Sequence, residues 1–110
     1  MVTPTIKRGS AELAILSVLA EETLHGYELA KRIEEHSGGV LKFNLASLYP
    51  MLYRLEKRGW IQSEWGVSEN NRKAKFYQLT AKGRKHLVAA TSRWRTMTRA
   101  IGLILGEPVE

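Results

Sequence analysis

Few side chains in this sequence could do covalent or metal chemistry, and none is spaced to do it. There is no cysteine. The three histidines, His25, His36 and His86, lack a second ligand at metal-binding spacing. No glycine-rich phosphate loop follows a strand, and no Gly-x-Ser-x-Gly nucleophile turn occurs. These features argue against an enzyme, a metal site or any other cofactor. What remains is the chemistry of hydrogen bonding and charge. In the stretch N-L-A-S-L-Y-P-M-L-Y-R-L-E-K-R-G, from Asn44 to Gly59, Leu45, Leu48, Leu52 and Leu55 recur at three, four and three. That spacing puts them on one face of a helix. The opposite face carries Ala46, Ser47, Pro50, Tyr53, Arg54 and Lys57, with no acid. Small residues let a backbone approach base edges, and cations meet phosphates, so this face suits the major groove of double-stranded DNA. Asn44 and Tyr49 complete the candidate contact set. On these residues alone, a solvated amphipathic helix is the plainer reading.

The segment that follows favours the groove. Trp60 to Trp65 and Ala74 to Thr80 are rich in aromatic and extended-tolerant residues and read as two strands. Between them lies a polar loop from Gly66 to Lys73, with Arg72, Lys73 and Lys75 at its far side. A hairpin with a basic tip directly after a groove-shaped helix points to phosphate contacts more than to a merely solvated loop.

The chain has 110 residues, enough for one compact unit. Its apolar fraction is 44% and its charged fraction 25%, ordinary for a globular protein. Seventeen basic residues against eleven acidic ones leave a net charge of +6, which favours an anionic partner. The absence of cysteine, of a signal-peptide core at the start and of any bilayer-length apolar run predicts a cytoplasmic protein with no membrane partner.

The elements that position these residues follow in order. Met1 to Gly9 reads as an arm carrying Lys7 and Arg8. Ser10 is suited to cap a first helix from Ala11 to Glu21. Its Leu13, Ile15, Leu16, Val18 and Leu19 are apolar on more than one side, so the helix should be covered twice, once by a partner chain. A second helix runs from His25 to His36, with Leu29, Ala30 and Ile33 inward, until Ser37-Gly38-Gly39 stops it. Pro50 conflicts with a helix beginning at Leu45, because it lacks a backbone donor. The leucine spacing favours the longer helix with a local defect. Thr80 caps a last helix from Ala81 to Leu105, ended by Gly106 and Pro108. Along it, Leu87, Ala90, Trp94, Met97, Ile101 and Ile104 recur at three and four, a heptad seam that calls for a homodimer partner, with Leu13 and Leu16 at its side.

Three helices, a hairpin and a final helix make a mainly α (α+β) fold, the winged helix-turn-helix with a C-terminal dimerisation helix. Residues 1–80 are the expected DNA-binding part and 81–110 the dimerisation helix. At this point L-H-G-Y-E-L from Leu24, S-L-Y-P-M-L from Ser47, L-E-K-R-G-W-I from Leu55 and R-K-A-K-F-Y-Q-L-T from Arg72, with Gly83, resemble the PadR family of transcriptional regulators. The resemblance covers nearly the whole chain, and the single last helix is similar to the smaller PadR subgroup. It implies a homodimeric, operator-binding regulator, usually a repressor. A protein-interaction module and a non-specific architectural DNA binder are the alternatives. Trp94 is unusual at a seam position and reads first as packed dimer core. Its bulk also suits a flat slot between subunits for a planar aromatic effector, which the resemblance to multidrug-responsive members supports.

Overall fold

The computed structural model describes residues 8–106. They form α1 (Arg8–Leu19), β1 (Leu24–His25), α2 (Gly26–His36), α3 (Leu45–Lys57), β2 (Ile61–Val67), β3 (Lys73–Leu79) and α4 (Ala81–Leu105). This is the mainly helical winged-helix arrangement that the order of elements predicts. Of the expected arm, residues 1–7 with Lys7 lie outside the described residues, as does Pro108 at the other end, whereas Arg8 and Gly9 belong to α1.

The core joins α1, α2, α3 and β2. Ile15, Leu16, Leu29, Leu48, Leu52, Leu55 and Ile61 are fully buried in it, each worth roughly 1.5–3 kcal/mol of burial. Three of the four stripe leucines of α3 are among them. Leu45, at the open start of the helix, is exposed, and Met51 widens the buried face on the other flank.

Two expectations about α1 need correction. It begins at Arg8, so Ser10 lies inside the helix and does not cap it, and it ends at Leu19, short of Glu21. Leu16 is 1% exposed within a single protomer. Ala11, Ile15 and Leu19 share one line of the helix at four-residue spacing, and Leu16 flanks it, so α1 buries this stripe in its own core. Leu16 therefore leaves nothing for a partner to cover, whereas Leu13 is only half-buried.

The sheet has one strand more than the sequence suggests. Leu24 and His25 pair antiparallel with Tyr77 and Phe76, which makes β3 the central strand in the order β1-β3-β2. Two residues carry no alternation, so Thr23 to Gly26 reads from sequence as a helix break alone. The hairpin strands also run further than expected. Lys73 belongs to β3, and residues 68–72 are left to turn the chain. There the Ser68 N–H donates to the Arg72 carbonyl at 2.8 Å, and the Asn71 N–H to the Ser68 carbonyl at 2.9 Å.

The start of α4 is clamped to the end of α3. The Thr80 hydroxyl accepts from the Gly83 N–H at 2.9 Å and donates to the Gly59 carbonyl at 2.6 Å. A Cβ at Gly83 would lie 2.0 Å from the Trp60 carbonyl oxygen, so only glycine fits this crossing. One turn on, His86 stacks on Trp60 with ring centroids 3.6 Å apart. The Arg58 guanidinium lies 5.1 Å from the same indole and pairs with Glu12 of α1 at 3.2 Å. Beyond this clamp most of α4 is exposed.

Candidate nucleic-acid interface

α3 presents its polar face because its leucines hold the opposite one inside. The Asn44 side chain accepts the Ser47 N–H at 2.8 Å, the bond that starts the helix at Leu45. The helix continues through Pro50, as the leucine spacing predicts. Pro50 has no N–H for the Ala46 carbonyl four residues back, which leaves that acceptor on the outer face. Asn44, Ala46, Ser47, Pro50, Tyr53 and Lys57 are all exposed. The Lys57 ammonium lies 5.5 Å from the Tyr53 ring centroid, one turn back on the same face.

Arg54 departs from the expected outer face. It is half-buried, and its Nε is closed off from water without a hydrogen-bond partner. It sits on the flank of α3 where the buried Met51 widens the apolar stripe. Tyr49 has a double position. It is 44% exposed, yet a Cβ at Gly26 would meet its hydroxyl at 2.6 Å. The missing side chain of Gly26 thus lets α3 close against the start of α2, where His25 Nδ1 accepts the Glu28 N–H at 3.4 Å.

The hairpin is tied to α3 at its base. The Ser63 hydroxyl donates to Glu56 Oε2 at 2.7 Å, and Ser63 stands opposite the buried Tyr77. Burial pushes the Tyr77 phenol above its ordinary range, with the Glu56 charge and Tyr49 acting the same way, so it remains a neutral hydroxyl. Further out, Lys75 stands opposite Trp65, and Lys73 opposite Val67.

Between the start of α2, α3 and the hairpin lies a cleft of about 910 Å³. The structure brings Tyr49 and Tyr53 together with Arg72, Lys73 and Lys75 around it. Asn44, Ala46, Ser47, Pro50, Arg54 and Lys57 do not line it. The cleft also takes in Tyr27, Lys31 and Trp65, which sequence reasoning did not single out. For Trp65 a signal was available only through the hairpin register, which sets it opposite Lys75 and which spacing alone does not specify. For Tyr27 and Lys31 it was not, since only the packing of α2 brings them there. Among the described residues no group of three or more acidic or histidine side chains could hold a metal, and no helix is long and apolar enough to cross a membrane.

Comparison with known proteins gives this geometry its context. The model of the PadR-like family of transcriptional regulators matches residues 15–89. The chain belongs to the PadR-like family. The match runs from α1 through the cleft and the hairpin into the first turns of α4. A transcriptional regulator from Clostridium thermocellum is 30% identical, with 86% of this chain and 92% of that one aligned at a TM-score of 0.77. A PadR-like transcriptional regulator from Bacillus cereus is 27% identical over 92% and 96%, with a TM-score of 0.79. A relative from Lysinibacillus sphaericus is 29% identical over 96% of each chain. The PadR-like family is one of regulators, in keeping with a site built of exposed donors, acceptors and cations. Past Ala89 the PadR-like match ends, and α4 continues with Trp94 at 45% exposure and Ile104 at 82%.

Proposed function

We propose that this PadR-family chain binds duplex DNA as a homodimer and represses transcription from an inverted-repeat operator. The observation that carries the reading is the placement of two surfaces side by side: the acid-free outer face of α3, and the hairpin with Arg72, Lys73 and Lys75 across the cleft. α3 enters the major groove with Ser47, Pro50 and Tyr53 toward base edges, and Asn44, Ala46 and Tyr49 beside them. Lys57 and the three hairpin cations take phosphates. Arg54, half-withdrawn, reaches the duplex only with its outer guanidinium nitrogens.

The apolar stripe of α4 supplies the dimer contact in this proposal. Leu87 and Ala90 are half-buried, whereas Trp94, Met97, Ile101 and Ile104 are exposed along one side. A two-fold axis through the stripe sets two copies of α3 on one side of the duplex, about 34 Å or a multiple of it apart. The elements from α1 to β3 then form the DNA-binding part and α4 the dimerisation helix. Trp94 belongs to the seam as packed core. A planar aromatic effector has to enter beside it, and dye titration against a Trp94→Phe control tests for that slot.

Selection of bound fragments from genomic DNA tests DNA binding and finds the operator together. On a selected fragment, Arg72→Ala with Lys73→Ala should weaken binding and lower the salt slope by about two, since each lost phosphate contact removes about one. Fragments enriched no better than background would count against the whole reading. An unchanged slope in the double variant would remove the hairpin from it.

A further inference from the structure

The hairpin carries one large side chain that its positive charge does not account for. Trp65, near the outer end of β2, is 63% exposed. In an antiparallel pair, directly opposed residues share a face. Ser63, Trp65 and Val67 therefore share theirs with Tyr77, Lys75 and Lys73. Tyr77 turns that face toward the core, so Trp65 stands on the cleft side. The ammonium groups of Lys73 and Lys75 lie 5.1 and 5.8 Å from its ring centroid. Both are within the range at which a cation is drawn to an aromatic ring. An indole with two ammonium groups within about 6 Å of its centroid thus lines the cleft while staying largely exposed.

We propose that Trp65 is itself a DNA contact, packing its indole against the deoxyribose rings between the phosphates that Lys73 and Lys75 neutralise. The inference rests on the reading of this protein as a duplex-DNA binder. Its chemical basis is the alternation along a nucleic-acid strand. Between successive phosphates the apolar surface on offer is the sugar, and Trp65 with Lys73 and Lys75 beside it on the neighbouring strand presents the complementary combination of an apolar plate and two cations. Burying the plate gains free energy without releasing counterions. Trp65 therefore adds an affinity that is independent of salt and of base sequence, while the lysines beside it carry the salt dependence.

The test is fluorescence anisotropy of the full chain on a labelled mixed-sequence duplex of about 30 base pairs, roughly three turns, over a series of salt concentrations. Trp65→Ala should bind about tenfold more weakly at every salt concentration with an unchanged slope, as expected for a lost apolar contact. Lys73→Ala should instead reduce the slope by about one. Trp65→Phe should recover most of the loss. In a chain carrying Trp60→Phe and Trp94→Phe, the remaining Trp65 emission should shift to the blue and become protected from acrylamide when duplex is added. The proposal is overturned if Trp65→Ala binds as tightly as the unmodified chain, if its loss comes with the slope change of a lysine variant, or if Trp65 emission ignores the duplex. In each of those cases DNA binding itself stands. If the unmodified chain binds no duplex, the underlying reading fails and takes this inference with it.

Discussion

Single atoms decide the joint between the end of α3 and the start of α4. A methyl group at position 83 meets the Trp60 carbonyl, which is backbone and cannot rotate away. Gly83→Ala should therefore destabilise the fold by about 3 kcal/mol, at the upper end for overpacking. Calorimetry should show this as a fall in melting temperature of more than about 10 °C. The same joint has a pH dependence through His86. Burial lowers its pKa below the ordinary imidazole value, the Arg93 charge lowers it further, Glu12 opposes this and Arg58 adds to it. The folded state thus prefers neutral His86 more strongly than the unfolded chain does. Its contribution is fully present above the unfolded pKa and is lost as pH falls through that value toward the folded one. Between about pH 8 and about pH 5, which bracket the ordinary histidine range, the denaturant midpoint should fall more in the unmodified chain than in His86→Gln. Equal falls in both would clear His86 of this role.

At the scale of the element, α3 has to be a stable helix and a contact surface with the same residues. Asn44 shows the overlap, since its carbonyl oxygen is committed to the Ser47 N–H while the residue stays exposed. Asn44→Ala removes the cap and should reduce stability by about 1 kcal/mol. Asn44→Asp keeps a capping oxygen and should melt like the unmodified chain. It sets a carboxylate against the phosphates, so duplex affinity should drop nonetheless, by anisotropy. Unchanged affinity in Asn44→Asp would place the duplex away from the start of α3. The hairpin divides its labour differently. Ser63 and Tyr77 fasten its base to α3 and the core, which leaves Trp65, Lys73 and Lys75 gathered on its outer part.

For the molecule as a whole, the apolar stripe on α4 is left exposed in a single protomer. Met97 is 61% exposed midway along it. In the proposed dimer Met97→Lys sets a charge inside the seam, against the desolvation cost of an unpaired ammonium. Light scattering at micromolar concentration should then give the mass of one chain for Met97→Lys and of two for the unmodified protein. A one-chain mass for the unmodified protein would end the dimer proposal. Because Leu16 is closed into the protomer core, α1 can offer such a partner only its half-buried side, including Leu13.

Some of this was legible without coordinates because it is local. The leucine spacing of α3, the Thr80 cap, the span of α4 and the order of elements all depend on residues three or four apart, and helices form on that range. The family motifs lay in the same stretches. The tertiary structure decided what depends on residues far apart in the chain. A two-residue strand exists only because β3 offers Tyr77 and Phe76 to pair with, and no periodicity could announce it. On a helical wheel Leu16 reads as one of several apolar residues open to a partner chain and Arg54 as part of the outer face, but burial is set by packing: Leu16 is closed into α1's own core, and Arg54 sits half-buried beside the stripe that Met51 widens. The cleft joins residues of α2, α3 and the hairpin, and the setting of Trp65 beside two lysines follows from a strand register that spacing alone does not specify. Local patterns determined which elements this chain makes; only their packing against one another determined which side chains meet.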